Sequence, residues 1–101
     1  MKWGLFFSGL LIPTFSALGV DAINFNRDIR PILANYCFEC HGPDSKQRKA
    51  GLRLDDEQGS QKELKSGVQA VVPSDLEQSE LIYRITTEDT DERMPPEDFS
   101  K

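Results

Sequence analysis

Residues with soft or nitrogenous ligand atoms are scarce in this chain. Its 101 residues include one histidine, two cysteines and two methionines, so any such ligand set is drawn from His41, Cys37, Cys40, Met1 and Met94. Long apolar runs are missing as well. The stretch from Leu5 to Leu18 falls short of the ~20 residues that a spanning helix needs and is broken by Pro13. There is no nucleophile paired with a base, no glycine-rich phosphate loop, no basic stripe and no internal repeat, which excludes the commoner hydrolase, nucleotide-binding, nucleic-acid and solenoid readings. Charge of one sign prevails, with a formal net charge of −5. An acidic surface disfavours nucleic acid and suits solubility or a basic partner.

The first 22 residues read as an export signal. Lys2 precedes the apolar stretch, and Val20-Asp21-Ala22 presents small or apolar residues where a signal peptidase reads, which places cleavage after Ala22. The remainder, residues 23–101, makes one small domain and is expected in the periplasm or cell envelope, without a stable membrane span once the signal is removed. A domain of this size buries little of its unfolded surface and calls for a staple.

Along that domain, Phe25, Ile29, Ile32, Leu33 and Tyr36 recur at helical spacing. Asn26 is the expected N-cap, and Pro31 requires the regular helix to begin near residues 28–30. Phe25, Ile29, Leu33, Tyr36 and Phe38 read as core. Gly42-Pro43 and the polar, basic stretch 44–50 read as a surface loop, and Leu52 and Leu54 as two side chains dropped into the core from a brief extended piece. Asp55 or Asp56 is expected to cap a short helix weakened by Gly59. Ser74-Asp75 is expected to open a second strong helix with Leu76, Leu81, Ile82 and Ile85 on its apolar face, with Tyr83 and Arg84 facing elsewhere, and with its end near Thr86 or Thr87. An acidic loop over residues 88–92 follows, and Pro95 and Pro96 forbid a helix beyond it.

One run concentrates the chemistry. Cys37-Phe38-Glu39-Cys40-His41 is a CxxCH sequence, the attachment signature of a c-type haem. Two thiols add across the two vinyl groups of one porphyrin, and the next residue turns an imidazole onto the iron. His41 is then the proximal ligand. With histidine exhausted and Met1 leaving with the signal, the lone remaining methionine, Met94, is the candidate for the sixth position. It lies 53 residues beyond His41, enough chain to return on the other face. A thioether there favours the reduced iron and raises the potential. Open five-coordinate iron is the alternative for that position, and an ordinary core methionine the alternative role for Met94. For the cysteine pair the alternatives are a redox disulfide and a share of a zinc site, although zinc wants four ligands and three strong ones are present. Arg48, Lys49, Arg53 and Arg93 are candidates to neutralise haem propionates, with solvated surface charge the other fate of each.

In order, Phe25 to Leu33 (FNRDIRPIL), the CxxCH run with Gly42-Pro43-Asp44, Lys49 to Asp55 (KAGLRLD), Val72-Pro73, Ser79-Glu80-Leu81-Ile82 and Glu92-Arg93-Met94-Pro95-Pro96 closely resemble the planctomycete-type cytochrome c domain. The resemblance implies an all-α, class I-like cytochrome fold, covalent haem c with its iron, His41 as proximal and Met94 as distal ligand. It implies a module at the N-terminus of a longer exported protein. Such a cytochrome continues past this point into a C-terminal helix that crosses the helix before the cysteines. The chain is therefore expected to be incomplete at its C-terminus, with the apolar face of residues 25–36 partly uncovered.

The reading that results is an exported c-type cytochrome domain passing single electrons through one haem, a redox module and not an enzyme in its own right. Its partner is a redox protein or fused downstream domains. Two other readings stand beside it: a thiol-disulfide module using Cys37 and Cys40, and a haem-bearing sensor or electron-feeding module of a larger exported enzyme.

Overall fold

The computed structural model describes residues 22–100 together with Gly4 and Gly9, so the expected export segment, Gly4, Gly9 and Ala22 apart, lies outside the described residues. Helical structure begins at Asn24. Its side chain accepts the Arg27 N–H at 2.9 Å, and its own N–H is taken by the Asp28 carboxylate at 2.9 Å. This reciprocal arrangement satisfies two donors that a helix start leaves orphaned, and it moves the cap two residues upstream of the expected Asn26. A π-helical turn, Phe25–Ile29, runs directly into α1, Arg30–Tyr36. Pro31 lies in the first turn of α1, where proline is tolerated.

The other two helices are shaped by local polar contacts. In α2, Glu57–Gln61, Asp56 is the N-cap and accepts the Gly59 N–H at 2.8 Å. Gly59 is required by close approach: a Cβ there would lie 2.8 Å from the Cβ of Arg53. The third helix, α3, spans Glu80–Thr86 and starts at Ser79, five residues beyond the expected Ser74. Side chains between the two positions compete with helix formation. The Asp75 carboxylate takes the Gln78 N–H at 3.1 Å, and the Ser79 hydroxyl accepts from the Val72 N–H at 2.8 Å and donates to the Asp75 carbonyl at 2.7 Å. Ser74 has a φ of 62°, which ends any helix there. Leu76, placed on the apolar face by the sequence, is consequently 72% exposed.

The architecture is all-α: three short α-helices, one π turn and, among the described residues, isolated bridges but no strand. The helices do not pack on one another. Among the described residues the sole helix contact is the continuous join of the π turn with α1, and irregular chain supplies the centre. Leu52, Leu54 and Ala70 are the buried apolar residues, with Leu33, Cys37, Phe38, Leu64 and Leu81 packed around them. Leu52 and Leu54 are thus where the alternating pattern put them. The expectation for α1 is met only in part. Leu33 and Phe38 reach the core, whereas Phe25 and Tyr36 are each 50% exposed, because no other described helix lies across that face. No helix of the described residues is long and apolar enough to cross a membrane.

Candidate functional site

The cysteine run leaves α1 as a tight loop fixed through its backbone. The N–H groups of Cys37 and Phe38 both donate to the Leu33 carbonyl at 2.8 and 3.0 Å, and those of Cys40 and His41 to the Cys37 carbonyl at 3.2 and 2.8 Å. The following segment folds back over it: the Lys49 N–H reaches the Cys40 carbonyl at 2.7 Å and the Leu54 N–H the His41 carbonyl at 2.8 Å. Gly42 is needed for this closure, since a Cβ at that position would sit 2.2 Å from the Phe38 carbonyl oxygen. Arg30 stacks over the Phe38 ring at 5.5 Å and covers the outer side of the loop.

His41 is held in one tautomer. Its Nδ1 lies 3.2 Å from the Lys49 carbonyl oxygen; a carbonyl can only accept, so Nδ1 carries the proton and Nε2 retains the lone pair. This is the second contact that orients and tunes a metal-binding imidazole. Burial pushes the His41 pKa below its ordinary value, the Lys49 carbonyl opposes that, and the Lys49 charge lowers it further. The ring is therefore kept neutral, the form that binds metal.

His41 and Met94, far apart in sequence, line one cleft. Its walls include Cys37, Leu52, Leu54, Leu64, Val68, Ala70, Leu81 and Ile85, and the polar residues Ser66, Glu80 and Arg84 complete it. The cleft has a cavity volume of about 160 Å³, or about 730 Å³ when the open space that merges with solvent is counted. The donor set suits haem iron: a neutral imidazole, a thioether and two unoxidised thiols. Cys37 lines the cleft, and Cys40 is half-buried in the same loop but outside the lining.

Three observations bear on the alternatives for the cysteine pair. Burial raises the Cys37 thiol pKa, opposite to the depressed value of a nucleophilic thiolate, and the pair follows a helix instead of the strand typical of thioredoxin-like enzymes. Among the described residues no group of three His, Cys, Asp or Glu side chains is placed to hold a metal ion.

Of the four cations offered for the propionates, none lines the cleft. Arg48 donates to the Gly42 and Pro43 carbonyls at 3.0 and 3.1 Å, Arg53 pairs with Asp55 and Arg93 with Glu97. Lys49 contributes its backbone carbonyl and not its ammonium. Arg84, expected to face elsewhere, lines the cleft together with Glu80, its ion-pair partner at 3.0 Å. The signal for it was present in the i, i+4 spacing of the two, but the early start expected for α3 obscured which face they share. Leu64, Ser66 and Val68 were also missed, because a short irregular segment carries no periodicity to read.

A family model described as Planctomycete cytochrome C matches residues 37–98, a span that opens on Cys37 and extends past Met94. No curated protein and no solved structure matches the chain. The match covers well over half of the sequence and contains every residue that lines the cleft, and on that ground the chain belongs to the planctomycete cytochrome c family.

Proposed function

We propose that the chain is an exported one-electron redox module with a class I-like site, holding a single haem c through thioether bonds to Cys37 and Cys40, with His41 as proximal and Met94 as distal iron ligand. Family membership implies a covalently bound haem; the ligand assignment is supported by one observation above all. An imidazole whose Nδ1 is already committed to the Lys49 carbonyl and the lone thioether among the described residues line the same apolar cleft.

The chain's own residues have separable tasks in this reading. Cys37 and Cys40 fix the macrocycle, and the Lys49 carbonyl keeps the His41 ring oriented and raises its basicity. Leu52, Leu54, Leu64, Val68, Leu81 and Ile85 exclude water, which limits solvent reorganisation when charge changes at the site. Haem iron, when bound, cycles between ferric and ferrous by gaining or losing one electron. The neutral Met94 thioether favours the ferrous form and raises the potential. Residues 1–22 serve as the export signal, which delivers the thiols to the compartment where attachment occurs.

The test is a pyridine haemochrome spectrum of protein exported in a host with haem-ligation machinery. The expected result is one covalently attached haem per chain that survives denaturation. A product without the haemochrome, or with Cys37 and Cys40 bridged as a disulfide, overturns the proposal. The Met94→Ala variant is expected to keep its covalent haem and lose the far-red ferric band of sulfur ligation; an unchanged band overturns the distal assignment.

A further inference from the structure

Met94 lies on irregular chain, followed by two prolines and preceded by an acidic loop, so no helix of its own fixes its position. Its placement comes from α3. The Met94 N–H donates to the Arg84 carbonyl at 2.9 Å, and the Arg84 guanidinium donates through Nη1 to the Glu92 carbonyl at 3.2 Å. The same guanidinium is aligned by Glu80, which accepts from its Nε at 3.0 Å. The Tyr83 hydroxyl donates to the Glu92 carboxylate. Two consecutive residues of α3 thus bind both sides of the segment 92–94, and the turn between is closed by the Arg93 N–H on the Asp89 carbonyl at 2.9 Å.

We infer that Tyr83 and Arg84 are positioning residues that strap the 92–94 segment to α3 and thereby set how fully Met94 occupies the sixth iron position, an inference that rests on the distal assignment proposed above. An internal ligand competes with an external one through the fraction of time its segment is docked. Loosening the strap lowers that fraction and leaves the covalent bonds at Cys37 and Cys40 and the His41 side untouched. Arg84 contributes partly buried, charge-assisted bonds and carries the larger share, while the Tyr83 bond is solvent-exposed and carries the smaller.

Spectroscopic titration of the ferric, haem-loaded protein with imidazole reads this directly. Arg84→Gln is expected to bind imidazole about tenfold more tightly than wild type and Tyr83→Phe about threefold, each with a weaker far-red sulfur band. Asp56→Ala removes the α2 cap and loosens the fold at a distance from the strap; its imidazole affinity is expected to match wild type. Wild-type affinity in both α3 variants, alongside a Met94→Ala variant that has lost its sulfur band, overturns the strap while leaving the distal assignment standing. Retention of the band in Met94→Ala overturns the assignment itself. Tighter binding by Asp56→Ala as well also overturns the strap, since general loosening then explains the effect. Should Arg84→Gln not fold, Tyr83→Phe decides, because it deletes only a solvent-facing hydroxyl.

Discussion

The segment carrying Cys37 to His41 and the segment carrying Met94 reach the same cleft by different means. The first is fixed by backbone on backbone: five N–H to carbonyl bonds among Leu33, Cys37, Phe38, Cys40, His41 and Lys49, and a sixth from Leu54. The second closes its own turn with two backbone bonds, from the Glu92 and Arg93 N–H groups to the Asp89 carbonyl. It is tied to α3, however, by a single backbone bond, Met94 to Arg84, and by the side chains of Tyr83 and Arg84. Backbone bonds are indifferent to most substitutions, and side-chain bonds are not. One wall of the site is therefore robust to sequence change wherever glycine is kept, and the opposite wall is adjustable.

The sharpest contrast comes from removing ligands on each side. Cys37→Ala combined with Cys40→Ala is expected to abolish covalent haem altogether, read as loss of haem stain on a denaturing gel, whereas Met94→Ala keeps the stain at wild-type intensity. Equal loss in the two variants would erase the distinction between the walls. Gly42→Ala comes next. A methyl group cannot sit 2.2 Å from the Phe38 carbonyl oxygen, so the loop must shift, and a cost of about 3 kcal/mol is expected in denaturant titration of the haem-loaded protein.

On the adjustable wall, Glu80→Ala removes the partner that aligns Arg84. The pair is partly exposed and spaced i, i+4, so a stability loss of about 0.5 kcal/mol is expected by the same titration. Smallest is an effect of pH on the backbone-held side. Arg53, through its hydrogen bonds, holds the Asp55 carboxylate below the ordinary range. A carboxyl whose folded pKa is depressed contributes stability above its unfolded value of ~3.9 and loses it as pH falls through the folded value. Thermal melts between pH 5 and pH 2 are expected to show this loss in wild type and a flatter profile in Arg53→Gln. These pH limits, on the order of two units about the carboxylate range, bracket the transition.

Much of the site was legible from spacing alone. Cys37, Cys40 and His41 fall within one five-residue run, and Met94 was singled out by the shortage of other ligands, so neither candidate depended on knowing the fold; the structure brings Cys37, His41 and Met94 to one cleft. Leu52 and Leu54 were readable because alternation survives even in a segment too short to be a strand. What escaped was set by tertiary context. The α3 start moved because Asp75 and Ser79 spend their side chains on nearby backbone, a local competition that hydrophobic spacing does not register. The α1 face read as core because periodicity reports which side is apolar and not whether anything covers it. Arg84 looked like a solvent residue until the helix register placed it beside Glu80 at the cleft.

Among the described residues three apolar side chains are buried, Leu52, Leu54 and Ala70, a slender interior for a small domain. In the reading proposed above, a tetrapyrrole plate would add to that interior, so acquiring the prosthetic group and gaining resistance to proteases would be one event. On that same reading, molecules that miss attachment would be the ones open to proteolysis.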